Sequence, residues 1–242
     1  MPTSLLISDL HLSESTPVIE AGLQKFLQQE ALAPEEPLAA LYILGDFFEA
    51  WIGDDDNAPY IDRIRTLLKQ VTDRGTALCV SRGNRDFLLG EAFTSSVNGT
   101  LLGDQTVVDL AGKPTLLMHG DTLCTDDVDY QVFRTLAHSE QWQAEMLAKS
   151  LAERRLLAQQ LRAMSVDAAS NKAEDIMDVN PEAVSKTMLD AGVTRLIHGH
   201  THRPAHHTTA QGDRIVLGDW TDTQGWCVRV SDERVSLESF PL

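Results

Sequence analysis

Side chains with the chemistry of metal ligands follow five short apolar runs of this 242-residue chain. The five groups are Asp9-Leu10-His11, Gly45-Asp46, Gly83-Asn84-Arg85-Asp86, His119-Gly120-Asp121 and His198-Gly199-His200-Thr201-His202. Each group stands where a predicted strand ends, and open α/β sheets bind their ligands in the loops at the carboxyl ends of strands. The sequence therefore predicts one site that is assembled from five separate loops.

Seven residues of these groups are candidate metal ligands: Asp9, His11, Asp46, Asn84, His119, His200 and His202. Residues i and i+2 of an extended segment point the same way, so Asp9 and His11 can reach one cation. Carboxylate, amide and imidazole groups without a thiolate suit Mn²⁺, Fe²⁺ or Mg²⁺ better than a structural zinc site. Asp46 is the candidate bridge between two ions about 3.5–4 Å apart, a pair that activates water for in-line displacement.

Each motif alone has a common structural explanation. An isolated Gly-Asp pair is usually a turn, and a single strand histidine is more often a packed core residue than a ligand. Five motifs in this order, each after an apolar run, favour a functional site. The apolar neighbours of His198 favour packing for that residue.

The elements that position the motifs alternate between strand and helix in the first third of the chain. These segments are strand 4–8, helix 18–30, strand 38–44, helix 58–74 and strand 76–80. This alternation predicts an α/β core with parallel strand pairing.

The pattern changes in the second half of the chain. Strands are predicted at 101–110 and 114–118, and from about 126 to 172 the apolar residues recur at helical spacing without a strand pattern. Helix 181–191, strand 193–198 and several short β segments then follow. We therefore expect one domain over residues 1–242 with a helical insertion at about 126–172.

Composition excludes several classes of function. The formal net charge of −16 repels nucleic acid, so we expect no nucleic-acid partner. No apolar run approaches the roughly 20 residues that span a bilayer, and no secretory signal stands at the N-terminus, so we expect a cytoplasmic location. Three widely spaced cysteines, Cys79, Cys124 and Cys227, argue against disulfides and CxxC sites.

The order of the five motifs resembles that of the calcineurin-like metallophosphoesterases over nearly the whole chain. The resemblance implies a four-layer α/β/β/α sandwich with two mixed sheets. It implies that Asp9, His11, Asp46 and His202 hold one metal ion, and that Asp46, Asn84, His119 and His200 hold the other.

Arg85 departs from the family pattern, in which a histidine follows the asparagine and helps to protonate an alkoxide leaving group. A phosphate leaving group has a second pKa of about 6 and departs without protonation. Arginine can instead bind a phosphate through two parallel hydrogen bonds. The replacement therefore favours a pyrophosphate substrate over an alkyl phosphoester.

Longer strings at 41–55, 83–90, 118–127 and 196–205 resemble the family of UDP-2,3-diacylglucosamine pyrophosphatases of lipid A synthesis. This resemblance implies that water attacks the α-phosphorus, giving UMP and 2,3-diacylglucosamine 1-phosphate (lipid X). It also implies two Mn²⁺ ions per chain and peripheral attachment to the cytoplasmic face of the inner membrane. We expect a monomer.

By the same resemblance, Asp46, Asn84, Arg85 and His200 would be catalytic. Substrate contacts would come from Asn84, Arg85, Asp127, Ser165, Lys172 and His200. Without the resemblance, Ser165 and Lys172 would be an ordinary helix-end serine and a solvated lysine. Ala169 stands where relatives often have a polar residue, and Asn171 is the candidate replacement for that contact.

The helical insertion is the candidate lid over the acyl chains of such a substrate. Residues 130–172 contain six basic and four acidic side chains, a local charge of +2 on a chain of net charge −16. A basic amphipathic segment can lie on an anionic membrane, although a helical hairpin packed on the core explains the same pattern. The candidate inner face comprises Phe133, Trp142, Met146, Leu147, Leu151 and Leu157.

Two other functions remain open from the sequence. A soluble phosphoesterase acting on another nucleotide diphosphate or polyphosphate would carry the same metal motifs, but the hydrophobic insertion argues against it. A binding protein without metal would be expected to have lost ligands, whereas all seven positions are filled.

Overall fold

The computed structural model of the chain describes residues 3–170, 176, 178–231 and 234–242, with the backbone alone at 166–170. Within them, two mixed β-sheets carry helices on their outer faces. The arrangement confirms the predicted four-layer α/β/β/α sandwich. Cys124 and Cys227 are buried and Cys79 is partly buried.

The first sheet contains six strands in the order β11-β10-β1-β2-β3-β4. Their bounds are β1 Ser4–Ile7, β2 Ala40–Leu44, β3 Ala77–Ser81, β4 Thr100–Leu101, β10 Gln224–Val230 and β11 Val235–Pro241. The four N-terminal strands pair in parallel, as the strand–helix alternation predicts, and the two C-terminal strands add antiparallel pairs at one edge.

The second sheet contains five strands in the order β5-β6-β7-β9-β8. Their bounds are β5 Gln105–Leu110, β6 Lys113–Met118, β7 Arg195–His198, β8 Ala205–Thr209 and β9 Gly212–Val216. β6, β7 and β9 pair in parallel at the centre, and an antiparallel strand lies at each edge.

Seven α-helices have been assigned in the described residues. They are α1 Pro17–Leu27, α2 Pro59–Asp73, α3 Glu91–Ser96, α4 Val128–Ala137, α5 Glu140–Leu147, α6 Leu151–Ser170 and α7 Pro181–Asp190. Three of them begin with proline, whose fixed φ suits a first helical turn. None of the helices in the described part of the chain combines the length and hydrophobicity needed to cross a membrane.

Apolar side chains fill three interfaces between the layers. Leu6 and Leu44 of the first sheet meet Ile197 and Ile215 of the second. The outer face of the first sheet packs on α1 and α2, and the outer face of the second packs on α7. Because these buried faces fix both sheets, the loops at the strand ends are held on a rigid support.

Two predicted elements differ from the observed ones. The strand expected at 101–110 is interrupted at Leu102, so Thr100–Leu101 joins the first sheet and Gln105–Leu110 joins the second. The helix expected at 18–30 ends at Leu27 and widens into a π-helical turn at Gln28–Leu32. A single apolar pattern could not show that its two ends pair with different sheets.

Candidate metal centre and substrate cavity

The structure brings all seven predicted ligands together at the carboxyl ends of β1, β2, β3, β6 and β7. Hydrogen bonds between loops fix this arrangement, since Asp9 N–H donates to Gly45 O (3.2 Å) and Gly199 N–H donates to His119 O (2.8 Å). Adjacent parallel strands end at the same edge of a sheet, which is why residues distant in sequence meet there.

One group of ligand atoms comes from Asp9, His11 and His202, all within 4.8 Å of one another. Asp9 Oδ1 lies 3.4 Å from His202 Nε2, and His11 Nε2 lies 3.3 Å from His202 Nε2. Two imidazoles and one carboxylate thus converge on a volume the size of one cation.

The second group surrounds Asp46, His119 and Asn84. Asp46 Oδ1 lies 3.7 Å from His119 Nε2. Asn84 Oδ1 lies 2.9 Å from both His119 Nε2 and His200 Nδ1. Asp46 Oδ2 is also 3.9 Å from His11 Nδ1, so this carboxylate reaches the first group as well.

The two groups share carboxylates. The sequence predicts Asp46 as the shared ligand, whereas the cluster of Asp9, Asp46 and His119 shows that Asp9 also reaches both groups. The Arg85 backbone N–H donates to Asp46 Oδ1 (2.8 Å), which holds that carboxylate between the loops.

Five of the ligands have a left-handed backbone, with φ of 56° at Asp9, 53° at His11, 49° at Asp46, 69° at His200 and 54° at His202. Residues other than glycine rarely adopt this conformation, which costs about 1–3 kcal/mol each and persists only where the surroundings enforce it. The fold therefore holds these side chains in a strained arrangement that aims them at a common point.

Two glycines allow the loops to approach each other closely. A Cβ atom on Gly83 would lie 2.2 Å from Asp46 Oδ1, and one on Gly199 would lie 2.2 Å from Asp9 Oδ2. The glycine before Asn84 and the glycine before His200 are thus sterically required, because a side chain at either position would clash with the ligand cluster.

Surrounding groups orient the ligands. The Asp86 carboxylate accepts the backbone N–H groups of Asp46 (3.2 Å), Phe47 (2.8 Å) and Gly83 (2.6 Å), which ties the two loops together. His119 Nδ1 donates to Leu44 O (2.9 Å), so its Nε2 faces the cluster. Such outer contacts fix the orientation of metal-binding side chains.

The carboxylates of the cluster differ in acidity. Burial acts to raise the pKa of Asp9, but the adjacent imidazoles of His202 and His119 hold that pKa below the ordinary value. Burial raises the pKa of Asp46 despite His119, and the neighbouring Asp86 adds to the rise. A bound cation would favour the ionised form of both groups.

The imidazoles also divide into two kinds. Burial and the nearby Arg85 lower the pKa of His11 to about 2, and burial and His119 lower that of His200 to about 4. Both rings are therefore neutral at pH 7, the form that binds metals. Burial opposes protonation of His119, but Asp46 and other carboxylates raise its pKa to about 9.

Two buried polar atoms of the cluster support the assignment to a metal. Asp9 Oδ1 and His11 Nδ1 have no hydrogen-bond partner among the described residues. Leaving buried polar atoms unsatisfied costs about 1–3 kcal/mol each, and a divalent cation would satisfy both. The oxygen and nitrogen donors present here fit such an ion.

A largely apolar cavity of about 590 Å³ opens beside the ligand cluster. Asp46, Asn84, His200 and His202 line its polar end. The apolar lining includes Trp51, Phe87, Phe133, Trp142, Met146 and Leu161, which come from the core loops and from α4, α5 and α6. One continuous space therefore connects the candidate metals with the helical insertion.

The inner face predicted for the insertion is only partly correct. Phe133, Trp142 and Met146 line the cavity, but Leu147 is 44% exposed and Leu157 packs against the core. The described cavity lining also lacks Leu151, whereas Leu161 of the same helix belongs to it. Helical periodicity gives the spacing of an apolar face, but it does not show which side meets the core.

The predicted substrate residues lie around the same cavity where they are described. Asn84, Arg85, Asp127, Ser165 and His200 line it. Asp127 also caps α4, where its Oδ1 accepts the N–H of Tyr130 (3.1 Å). Lys172 and Asn171 lie outside the described residues, and only the backbone of Ala169 is described, within α6.

Sequence reasoning missed two carboxylates next to the ligands. Asp219 Oδ2 lies 3.6 Å from His202 Nδ1, on the side of the ring away from Asp9. Glu49 Oε2 lies 3.7 Å from His11 Nδ1 and contacts Arg85 Nη1. Neither residue stands in a repeated motif, although Glu49 follows β2 by only a few residues.

Known proteins similar to this chain identify its family. The family model of the calcineurin-like phosphoesterases matches residues 2–204. The UDP-2,3-diacylglucosamine hydrolase of Cellvibrio japonicus is 49% identical, with 99% of each chain covered. The protein of the same name from Marinobacter nauticus is 48% identical, covering 99% of this chain and 98% of the relative.

Solved structures share the fold at low sequence identity. A novel archaeal phosphodiesterase has a TM-score of 0.51 at 11% identity, with 99% of each chain covered. Hypothetical protein PH1004 from Pyrococcus horikoshii has a TM-score of 0.52 at 12% identity, covering 100% of this chain and 88% of the other. The chain belongs to the calcineurin-like phosphoesterases and, within them, to the family of the UDP-2,3-diacylglucosamine hydrolases.

Proposed function

We propose that the protein hydrolyses the pyrophosphate bond of UDP-2,3-diacylglucosamine by attack of water on the α-phosphorus. The products are UMP and 2,3-diacylglucosamine 1-phosphate, and the reaction belongs to lipid A synthesis. The observation that carries the proposal is that Asn84, Asp46 and His200 line the apolar cavity and also belong to the ligand cluster. A substrate with a diphosphate at one end and acyl chains at the other matches this continuity.

The seven ligands would hold two Mn²⁺ ions, which when bound supply an activated water and neutralise phosphate charge. Arg85 lies beside Asp46, with Nε 3.4 Å from Asp46 Oδ2, and is placed to donate to phosphate oxygens. The phosphate leaving group needs no acid, which agrees with arginine at this position.

The insertion would serve as the lid within a single domain and as the membrane contact. Val128, Val132 and Leu136 are 65%, 66% and 54% exposed and recur every four residues along α4. Such a stripe would attach the protein peripherally to the cytoplasmic face of the inner membrane, where a lipid substrate lies. We expect the protein to act as a monomer.

Comparison of two nucleotide sugars tests the substrate. After chelation and resupply with Mn²⁺, we expect kcat/KM for UDP-2,3-diacylglucosamine to exceed that for UDP-N-acetylglucosamine by about a thousandfold or more. Five buried methylenes contribute about 4 kcal/mol, which corresponds to that ratio. Equal values for the two substrates would contradict the assignment of the cavity to acyl chains.

Two variants of α5 distinguish the loss of a cavity-lining side chain from a general disturbance of the helical insertion. Trp142→Ala removes a lining side chain and should reduce the preference for the acylated substrate by about tenfold or more. Leu147→Ala removes an exposed side chain of the same helix and should leave the preference unchanged. Equal losses in the two variants would assign the effect to the fold of the helix.

A further inference from the structure

Glu49 joins the ligand cluster to the helical insertion through both of its carboxylate oxygens. Oε1 accepts from Arg162 Nε of α6 at 2.7 Å. Oε2 accepts from Arg85 Nη1 and lies 3.7 Å from His11 Nδ1. One carboxylate therefore holds two guanidinium groups that come from different parts of the fold.

Both arginines line the cavity that opens beside the ligand cluster. Arg85 lies against Asp46 on the side of the ligands. Arg162 belongs to the lid, where its helix neighbours Leu161 and Ser165 also line the cavity. A diphosphate bound in this cavity beside the ligand cluster would therefore have two guanidinium groups in the wall around it.

The combined charge of Arg85, Glu49 and Arg162 is opposite in sign to that of a diphosphate. Two guanidinium groups and one carboxylate leave a net positive charge, and a diphosphate diester carries two negative charges. The side chains of Arg85 and Arg162 are 20% and 27% exposed, and both line the cavity. Each guanidinium has about five N–H donors, more than one carboxylate can accept, which leaves donors for phosphate oxygens.

We propose that Arg162 binds the β-phosphate of the substrate while Arg85 binds the α-phosphate, and that Glu49 is the positioning residue that holds Arg162 beside Arg85. The inference rests on the proposed function and deepens it, because it assigns diphosphate recognition partly to the lid. The β-phosphate leaves on the lipid product, so Arg162 should matter for that product and not for UMP.

Inhibition by the two products tests the role of Arg162. We expect Arg162→Ala to raise KM about tenfold with kcat changed less than about threefold, as loss of a charged hydrogen bond to bound substrate predicts. The inhibition constant of 2,3-diacylglucosamine 1-phosphate should rise about tenfold, and that of UMP should stay the same. Equal rises for both products, or an unchanged KM, would overturn the assignment.

Arg155 provides a matched control on the same helix. Its Nη2 donates to Asp56 Oδ1 (2.6 Å) and Asn57 Oδ1 (2.7 Å), and it is absent from the described cavity lining. Arg155→Ala thus removes an anchor of α6 without removing a cavity arginine. KM should stay near the wild-type value in this variant; a tenfold rise would assign the effect to helix anchoring and overturn the proposal.

The double variant tests whether Glu49 acts through Arg162. Glu49→Gln keeps the size of the side chain and removes its charge, and we expect KM to rise by less than in Arg162→Ala. In the presence of Arg162→Ala, the further change in KM from Glu49→Gln should be smaller than in the wild-type background, because the pair acts as a unit. Fully additive effects would overturn the positioning role.

Wild-type kinetics separate failure of this inference from failure of the proposed function. A wild-type protein that leaves UDP-2,3-diacylglucosamine uncleaved with Mn²⁺ present would overturn both. Normal wild-type turnover with an unchanged KM in Arg162→Ala would overturn the inference alone.

Discussion

Asp46→Ala is expected to lower kcat/KM by about a thousandfold or more at saturating Mn²⁺, because this carboxylate reaches both ligand groups. Its side chain is 2% exposed and lies 3.7 Å from His119 Nε2 and 3.9 Å from His11 Nδ1. Initial rates on UDP-2,3-diacylglucosamine measure the loss. Near-normal activity of the variant would refute the assignment of Asp46 to a two-metal site.

The fold should survive loss of the Asp46 charge. Burial raises the pKa of this group above its ordinary value, so the ionised form destabilises the folded, metal-free protein at neutral pH. Asp46→Asn removes the charge and keeps an oxygen for the Arg85 N–H, and we expect its metal-free Tm to equal or exceed that of wild type. Asp62→Ala, at an exposed carboxylate of α2, is the matched control and should retain full activity.

Removing metal with a chelator should abolish activity, and Mn²⁺ should restore it. Binding should also stabilise the fold, since a cation would satisfy Asp9 Oδ1 and His11 Nδ1, which lack partners among the described residues. At a free concentration 100 times Kd, one bound ion contributes about 2.7 kcal/mol, or about 5–10 °C in Tm for a protein of this size.

Two histidine variants test whether the ligand cluster is the source of the Mn²⁺-dependent rise in Tm. His202→Ala should lose much of the Mn²⁺-dependent rise in Tm, because His202 belongs to the first ligand group. His206→Ala, at an exposed histidine that pairs with Asp213, should keep the full rise. Full activity after exhaustive chelation would contradict the metal-dependent mechanism.

The convergence of the candidate ligands could be predicted because each of them stands next to a strand that carries its own sequence signal. β1, β2 and β3 are short apolar runs, and parallel neighbours bring their ends together. The left-handed backbone at Asp9 and Asp46 gave no such signal, since neither residue is glycine. That strain depends on contacts between loops, which a single local pattern does not contain.

The connection between site and lid could not be predicted from local patterns. Glu49 pairs with Arg85, 36 residues away, and with Arg162, 113 residues away. In the sequence, Arg85 is a residue of the Gly-Asn-Arg-Asp motif and Arg162 is one of several basic residues of the insertion, and neither position indicates a pairing with Glu49. The orientation of the lid could not be predicted from local patterns either. Leu147 and Leu161 both fit an apolar helical face, but of the two only Leu161 lines the described cavity.

Hydrolysis of UDP-2,3-diacylglucosamine in ¹⁸O-labelled water, followed by mass spectrometry of both products, tests the central claim most directly. We expect one labelled oxygen in UMP and none in 2,3-diacylglucosamine 1-phosphate, because the proposed mechanism places the α-phosphorus over the ligand cluster and makes the lipid phosphate the leaving group. Label in the lipid phosphate with unlabelled UMP would contradict this geometry.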